Sequence, residues 1–241
     1  MSRAPLLDLR GVTVAHGQLT AVRDVSVTLE PGTVFAVIGA NGAGKSTLLR
    51  TIAGLHQPSA GTIWLDGSDV THLPAEKRVL AGVALVPEGR RLFGSLTLEE
   101  NLQTGAYRAR PGPWNVARVY ELFPWMADRR RQQAWLLSGG EQQAVAIGRA
   151  LIANPKVLLL DELSLGLAPI AVARIYRMLP ELVASGIGVL LVEQDVRQAL
   201  RVATRVACLL EGRQTLEGKP GELTIEEIET AYFGLERRRG A

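Results

Sequence analysis

Between Gly39 and Ser46 the chain reads Gly-Ala-Asn-Gly-Ala-Gly-Lys-Ser, the spacing G-x-x-x-x-G-K-[ST]. Gly39, Gly42 and Gly44 let the backbone N–H groups around Asn41 and Ala43 curl onto phosphate oxygens. Lys45 reaches the β- and γ-phosphates, the Ser46 hydroxyl offers a ligand to Mg²⁺, and the cradle runs on to Thr47. The bland alternative is a Gly-rich turn with no ligand. It fits poorly, because an apolar strand pattern precedes the motif and a helical one follows it.

A second set of groups ends the run VLLLDE. Asp161 falls at the carboxyl end of a buried strand, where open α/β sheets bind ligands, and it can hold the water shell of a metal. Glu162, beside it, can take a proton from an attacking water, a role worth typically ~10²–10⁴-fold in rate. The alternative for Glu162 is a solvated acid at a strand end.

A third group is Ser138-Gly139-Gly140-Glu141, which opens the helical stretch LLSGGEQQAVAIGRAL. Free N–H groups at the positive end of a helix favour an anion. A helix terminus contributes only ~0.3–2 kcal/mol to a nearby charge, too little to hold a triphosphate unaided. Such a nest makes sense as half of a site; alone it is only an N-cap.

These groups need elements to carry them. TVFAVIGA is a continuous apolar run leading into the Gly-rich turn, and KSTLLRTIAGL after it is helical. LLDLRGVTVAHG and AVRDVSVTLEPG alternate apolar and polar residues, the pattern of half-exposed antiparallel strands. GTIWLDGSDV is a further short strand, and AGVALVPEG a strand that stops at Pro87. From about Ser95 the character turns helical. Thr97 and Glu100 form a capping box, and VARVYELFPWMADRRRQQA continues as helix after Pro111–Pro113. Strands return with PKVLLLDE, GIGVLLVE and RVACLLEG. The pattern is a parallel-sheet α/β core interrupted by a helical insert of roughly sixty residues. With the glycine loop and Asp161 it resembles the P-loop NTPases, which implies a RecA-like core over about 1–87 and 152–241, with an antiparallel β subdomain and an inserted helical subdomain over about 88–151.

Composition sets the frame for this reading. The 241 residues, 47% hydrophobic and 21% charged, are enough for one folded domain. The one cysteine, Cys208, sits in an apolar run and is expected to be a buried thiol. No segment reaches the ~18 apolar residues of a membrane span, and MSRAPLLDLRG is too short an apolar start for a secretory signal. The chain is therefore expected in the cytoplasm. Net charge is +3, and the arginine runs at Arg129–Arg131 and Arg237–Arg239 read as solvated faces, so no nucleic-acid partner is expected. His56 and His72 lack partners in a metal-ligand spacing, and Trp64, Trp114 and Trp125 are expected to pack.

In this order and spacing, the Walker A loop at Gly39–Ser46, LSGGEQQ at Leu137–Gln143 and LLLDE ending at Glu162 resemble an ABC-transporter ATP-binding subunit over nearly the whole chain. The resemblance implies ATP and Mg²⁺ as ligands. It also implies a second ABC ATPase subunit paired head to tail, each phosphate loop facing the partner's Ser-Gly-Gly nest. VPEGRRLFGSLTLEENL, LSLGLAP, LLVEQD and AYFGLE are similar to importers of branched-chain (hydrophobic) amino acids. That implies two permease subunits, an extracytoplasmic solute-binding protein, and a peripheral place on the cytoplasmic face of the inner membrane. Urea or amide uptake stays open as an alternative. An ATPase working on nucleic acid or ribosomes fits less well: the Lys45–Ser138 span holds no coiled coil, and the chain has a single cassette.

Carried residue by residue, the resemblance makes Lys45, Glu162 and Gln194 catalytic, Gln194 standing where a switch histidine is common. Ser46, Asp161 and Glu88 would face the metal, with Glu88 at a position usually glutamine and able to relay motion to the permeases. His16 falls where an aromatic ring stacks on adenine; otherwise it is an exposed loop histidine. Three further departures stand out. Ala168 replaces an aspartate. Leu163 replaces the proline after the catalytic glutamate and is expected to loosen that turn. Trp135-Leu136 is unusual and is expected to pack against the helical insert.

Overall fold

The computed structural model describes residues 4–234; Arg237–Arg239 and the end of AYFGLE lie outside the described residues. Strands β1 (Leu7–His16) and β2 (Leu19–Leu29) form an antiparallel pair that matches Leu7 to Leu29 and His16 to Leu19. Leu7, Leu9, Val12 and Val14 are buried along β1 while Arg10 and Ala15 are exposed, so the alternation in the sequence maps onto one wet and one dry face. After Pro31-Gly32 comes β3 (Val34–Ile38), buried at every residue, then the Gly-rich loop and α1 (Lys45–Ile52). Strand β4 (Ala60–Leu65) pairs with β1 and β5 (Ser68–Asp69) with β4, completing an antiparallel sheet ordered β2-β1-β4-β5.

Helix α2 (Ala75–Ala81) leads to β6 (Val83–Val86), which ends where Pro87 has no N–H to continue a ladder. The chain then runs through α3 (Leu98–Thr104), α4 (Val116–Leu122), α5 (Trp125–Asp128) and α6 (Gly139–Ile152). It re-enters the sheet at β7 (Val157–Asp161) and continues through α7 (Pro169–Tyr176), α8 (Leu179–Ala184) and β8 (Gly188–Glu193). Helix α9 (Val196–Val202), β9 (Arg205–Leu210), β10 (Arg213–Gly218) and α10 (Ile225–Phe233) finish the described chain. The second sheet is ordered β10-β9-β3-β8-β7-β6, parallel except for β10.

Both faces of that sheet are covered, which is why its strands are unbroken apolar runs. Leu158 and Leu160 of β7 pack into a core with Leu98, Leu102, Val145 and Ile147 of the helices. Val157 and Leu159 point the other way, into a core with Leu48, Ile52, Leu9 and Val27 beneath the antiparallel sheet. Cys208 is buried, and burial raises its thiol pKa.

The helical stretch differs from expectation in two places. VARVYELFPWMADRRRQQA is two short helices, because Pro124 disfavours helical geometry at Phe123, which sits at φ −130°, ψ 76°. Trp135 does not pack against the helices: it is 63% exposed, with its indole N–H donating to Gln133 Oε1 at 2.8 Å, and Leu136 is 52% exposed. The capping box forms as expected, Thr97 Oγ1 accepting from Glu100 N–H and Glu100 Oε2 from Thr97 N–H. Trp114 is buried, Trp125 packs against the same core, and Trp64 lies under the Arg10 guanidinium.

Candidate functional site

The loop from Gly39 to Gly44 bridges the end of β3 and the start of α1, and its glycines are required by geometry. Gly44 has φ +99°, and a Cβ there would sit 2.3 Å from the Ala21 carbonyl oxygen. Gly39 is equally confined, with Leu209 O at 2.3 Å from a would-be Cβ. Gly44 is also the N-cap of α1, with no side chain capping the helix and no acid in its first turn. The positive end of α1 is thus left open to an external anion. A Gly44→Ala chain should bind ATP at least about tenfold more weakly, about 1.4 kcal/mol, by titration calorimetry. Unchanged affinity would show that the loop does not need its close approach to β2.

Lys45 is only 3% exposed and its ammonium is folded back, donating to Gly39 O at 2.9 Å and Ala40 O at 3.1 Å. Glu162 Oε1 lies 3.4 Å from the same nitrogen. A buried ammonium held by two carbonyls and one carboxylate is poised to trade partners with a phosphate. Ser46 Oγ donates to Asp161 Oδ1 at 2.9 Å, joining the first turn of α1 to the end of β7. Burial raises the Asp161 pKa, opposed mainly by that hydrogen bond. The pair offers hard oxygen donors and no sulfur or imidazole, which suits Mg²⁺ completed by substrate phosphates and water rather than by a protein cage. Among the described residues no cluster of three or more His, Cys, Asp or Glu could hold a metal.

The predicted residues fall into three places. His16, Asn41, Gly42, Gly44, Lys45, Ser46, Thr47, Glu88 and Glu162 line one cleft of about 480 Å³. Gly39, Ala43 and Asp161 are buried behind it. Gln194 does not line that cleft; it lies in a neighbouring one of about 300 Å³, which Glu162 also borders. Ser138, Gly139, Gly140 and Glu141 line a third cleft of about 410 Å³, together with Ala168 and Arg174. The phosphate loop and the Ser-Gly-Gly nest of one chain therefore do not share a cavity.

That nest is more constrained than its sequence implies. Ser138 Oγ accepts from Glu141 N–H at 3.4 Å and Glu141 Oε2 from Ser138 N–H at 2.9 Å, a capping box. Glu141 Oε1 meets Arg129 Nη1 at 2.6 Å, so both carboxylate oxygens of Glu141 are engaged within the chain. Gly139 and Gly140 open the helix, and their N–H groups have no intrahelical acceptor.

Three features escaped sequence reasoning. The ring of His56 meets that of His16 edge-on, centroids 4.8 Å apart, and burial, His16 and Arg50 lower its pKa. The Arg90 guanidinium donates to Gln142 Oε1 at 3.3 Å and lies against Gly139, tying the loop after Glu88 to the nest. The doubled arginine in EGRR was its only signal. Leu163, expected to loosen the turn after Glu162, is buried in the helix-side core, and the N–H of Glu162 donates to Val192 O at 3.0 Å.

A lysine-bearing glycine loop between a central parallel strand and a helix, its serine bonded to a strand-end aspartate, defines a P-loop nucleoside triphosphatase. The family model described as ABC transporter matches residues 22–164. The high-affinity branched-chain amino acid transport ATP-binding protein BraG of Pseudomonas aeruginosa is 43% identical over 95% of this chain and 100% of its own length. The crystal structure of a nucleotide-free ATP-binding cassette from an ABC transporter superposes with TM-score 0.82 and 25% identity, covering 97% of this chain and 96% of that one. The dimeric structure of MJ0796, a bacterial ABC transporter cassette, superposes with TM-score 0.78 and 26% identity over 89% and 98% of the two chains. The chain belongs to the ABC transporter family, as an ATP-hydrolysing cassette.

Proposed function

We propose that this chain energises uptake of branched-chain or other hydrophobic amino acids. It would sit peripherally on the cytoplasmic face of the inner membrane, against two permease subunits fed by an extracytoplasmic solute-binding protein. The observation that carries this reading is the likeness to BraG, which extends along 95% of this chain and the whole of that protein. Among the described residues no helix is long and apolar enough to cross a membrane.

Within this reading each residue has a task. The Gly39–Thr47 loop and Lys45 hold the β- and γ-phosphates, and His16 meets the base. Ser46 and Asp161 hold Mg²⁺, with Glu88 facing it; when bound, the ion neutralises charge on the phosphate oxygens. Glu162 accepts the proton of the attacking water, and Gln194 borders that position from the next cleft. The separation of loop and nest favours a head-to-tail pair of cassettes, in which Gly139 and Gly140 of one subunit complete the other's site. The segment over about 88–151 moves as a helical subdomain, with Glu88 and Arg90 at its root. Closure is driven by contacts that exist only with the γ-phosphate in place.

The test is reconstitution with the neighbouring permeases and binding protein in liposomes. Leucine-loaded binding protein should stimulate ATP hydrolysis and leucine should accumulate. Stimulation by urea or amides alone would overturn the substrate class. Failure to associate with any permease, with nucleic acid retained instead, would overturn the transport reading.

A further inference from the structure

Glu193 ends β8 fully buried, and the scheme above gives it no chemical task. A buried carboxylate costs several kcal/mol unless donors surround it. Here three donors converge. Ser164 N–H donates to Oε1 at 3.1 Å, Ser164 Oγ to Oε2 at 2.8 Å, and the Tyr176 hydroxyl to Oε1 at 2.6 Å. Burial, with the charge of Glu193, pushes the Tyr176 pKa upward, so the phenol keeps its proton and stays a donor.

What Glu193 grips is the turn after the hydrolytic carboxylate. Glu162 has φ +49°, a left-handed backbone that a glutamate adopts only when its surroundings impose it. Leu163 has no ring to fix its own φ, as a proline would. The Glu162 N–H is held to β8 at Val192 O, and Ser164 is held to the same strand two residues later, at Glu193. The third donor comes from the end of α7, whose Ala171 packs on Gly140 of the nest: a Cβ on Gly140 would lie 2.5 Å from the Ala171 Cβ.

The geometry points to Glu193 as a positioning residue whose carboxylate clamps Ser164 and so holds the Glu162 turn where its carboxylate meets the attacking water. The inference rests on Glu162 being the proton acceptor. Without the clamp the turn relaxes, ATP still binds through Lys45 and Ser46, and the chemical step slows.

Ser164→Ala, Glu193→Gln, their double variant and Ser164→Thr are compared with Glu162→Gln, measuring kcat, KM for ATP and thermal midpoint. Losing one hydrogen bond to a charged group should lower kcat about tenfold in Ser164→Ala, with KM within about twofold. Ser164→Thr, which keeps the hydroxyl, should recover most of that loss. Adding Ser164→Ala to Glu193→Gln should cost little more than either change alone, because both break one contact. Unchanged kcat in Ser164→Ala beside an inactive Glu162→Gln overturns the clamp alone. Full turnover in Glu162→Gln overturns the proton-acceptor reading and the clamp with it. A rise in KM matching the fall in kcat, with a collapsed midpoint, makes Glu193 merely structural and also overturns the clamp.

Discussion

Glu162→Gln should leave ATP binding nearly intact while cutting steady-state turnover by about 10²–10⁴-fold, the usual contribution of a general base. Glutamine keeps the shape of the side chain and can still approach Lys45, which Glu162 Oε1 reaches at 3.4 Å. In the proposed function the affinity for phosphate comes from elsewhere, from the loop with Lys45 and the open N-terminus of α1, while Ser46 and Asp161 would hold Mg²⁺. What glutamine lacks is a basic oxygen. The variant therefore separates binding from chemistry, read out as nucleotide affinity on one side and single-turnover phosphate release on the other. Under the proposed head-to-tail pairing it should also hold the ATP-loaded sandwich together, appearing by light scattering as a dimer, either of this chain or with a second ABC ATPase subunit. Turnover equal to that of the unmodified chain would remove Glu162 from the mechanism.

The parts of the site legible in the sequence are those whose geometry is local. The Gly39–Ser46 loop and the acids at the end of VLLLDE were readable because spacing alone puts glycines in a turn and carboxylates at a strand terminus. Most strands of both sheets were readable for a similar reason, since burial on one face or two writes alternation or continuity into the residues; the edge strand β10, with no buried residue, was not. Long-range partners left no such mark. Nothing in the spacing shows that Glu193 meets Ser164 and Tyr176, that Arg90 lies on Gly139, or that His56 stands beside His16. Those contacts depend on how the sheet brings separate loops together. Trp135 misled for a related reason: an aromatic residue is a good packing candidate in sequence, but only the short turn at Ala134–Leu136 shows that its ring points outward.

Arg78→Met should cost the fold at least about 3 kcal/mol, lowering the thermal midpoint by roughly 6–12 °C for a chain of this size. Arg78 is fully buried in α2, and its guanidinium donates to the carbonyls of Thr51, Ile52, Thr71 and Leu73 at 2.6–3.0 Å. Burial pushes its pKa down to about 10, so at neutral pH the group remains a cation. Thr51 and Ile52 close the last turn of α1, where the helix dipole is negative and a buried cation is favourable. Methionine fills a similar volume but leaves the buried Ile52 and Thr71 carbonyls without this donor, each worth about 1–3 kcal/mol when orphaned, whereas Thr51 O keeps the Gly54 N–H at 3.0 Å and Leu73 O is only partly buried. Because α1 begins at Lys45, loosening its far end should also weaken ATP binding, although Arg78 lines none of the three clefts. Arg78→Lys, with one ammonium for four carbonyls, should fall between the two. A loss below about 1 kcal/mol in Arg78→Met would show that water or local rearrangement satisfies these carbonyls. The tether between α1 and α2 would then not be what seats the phosphate loop.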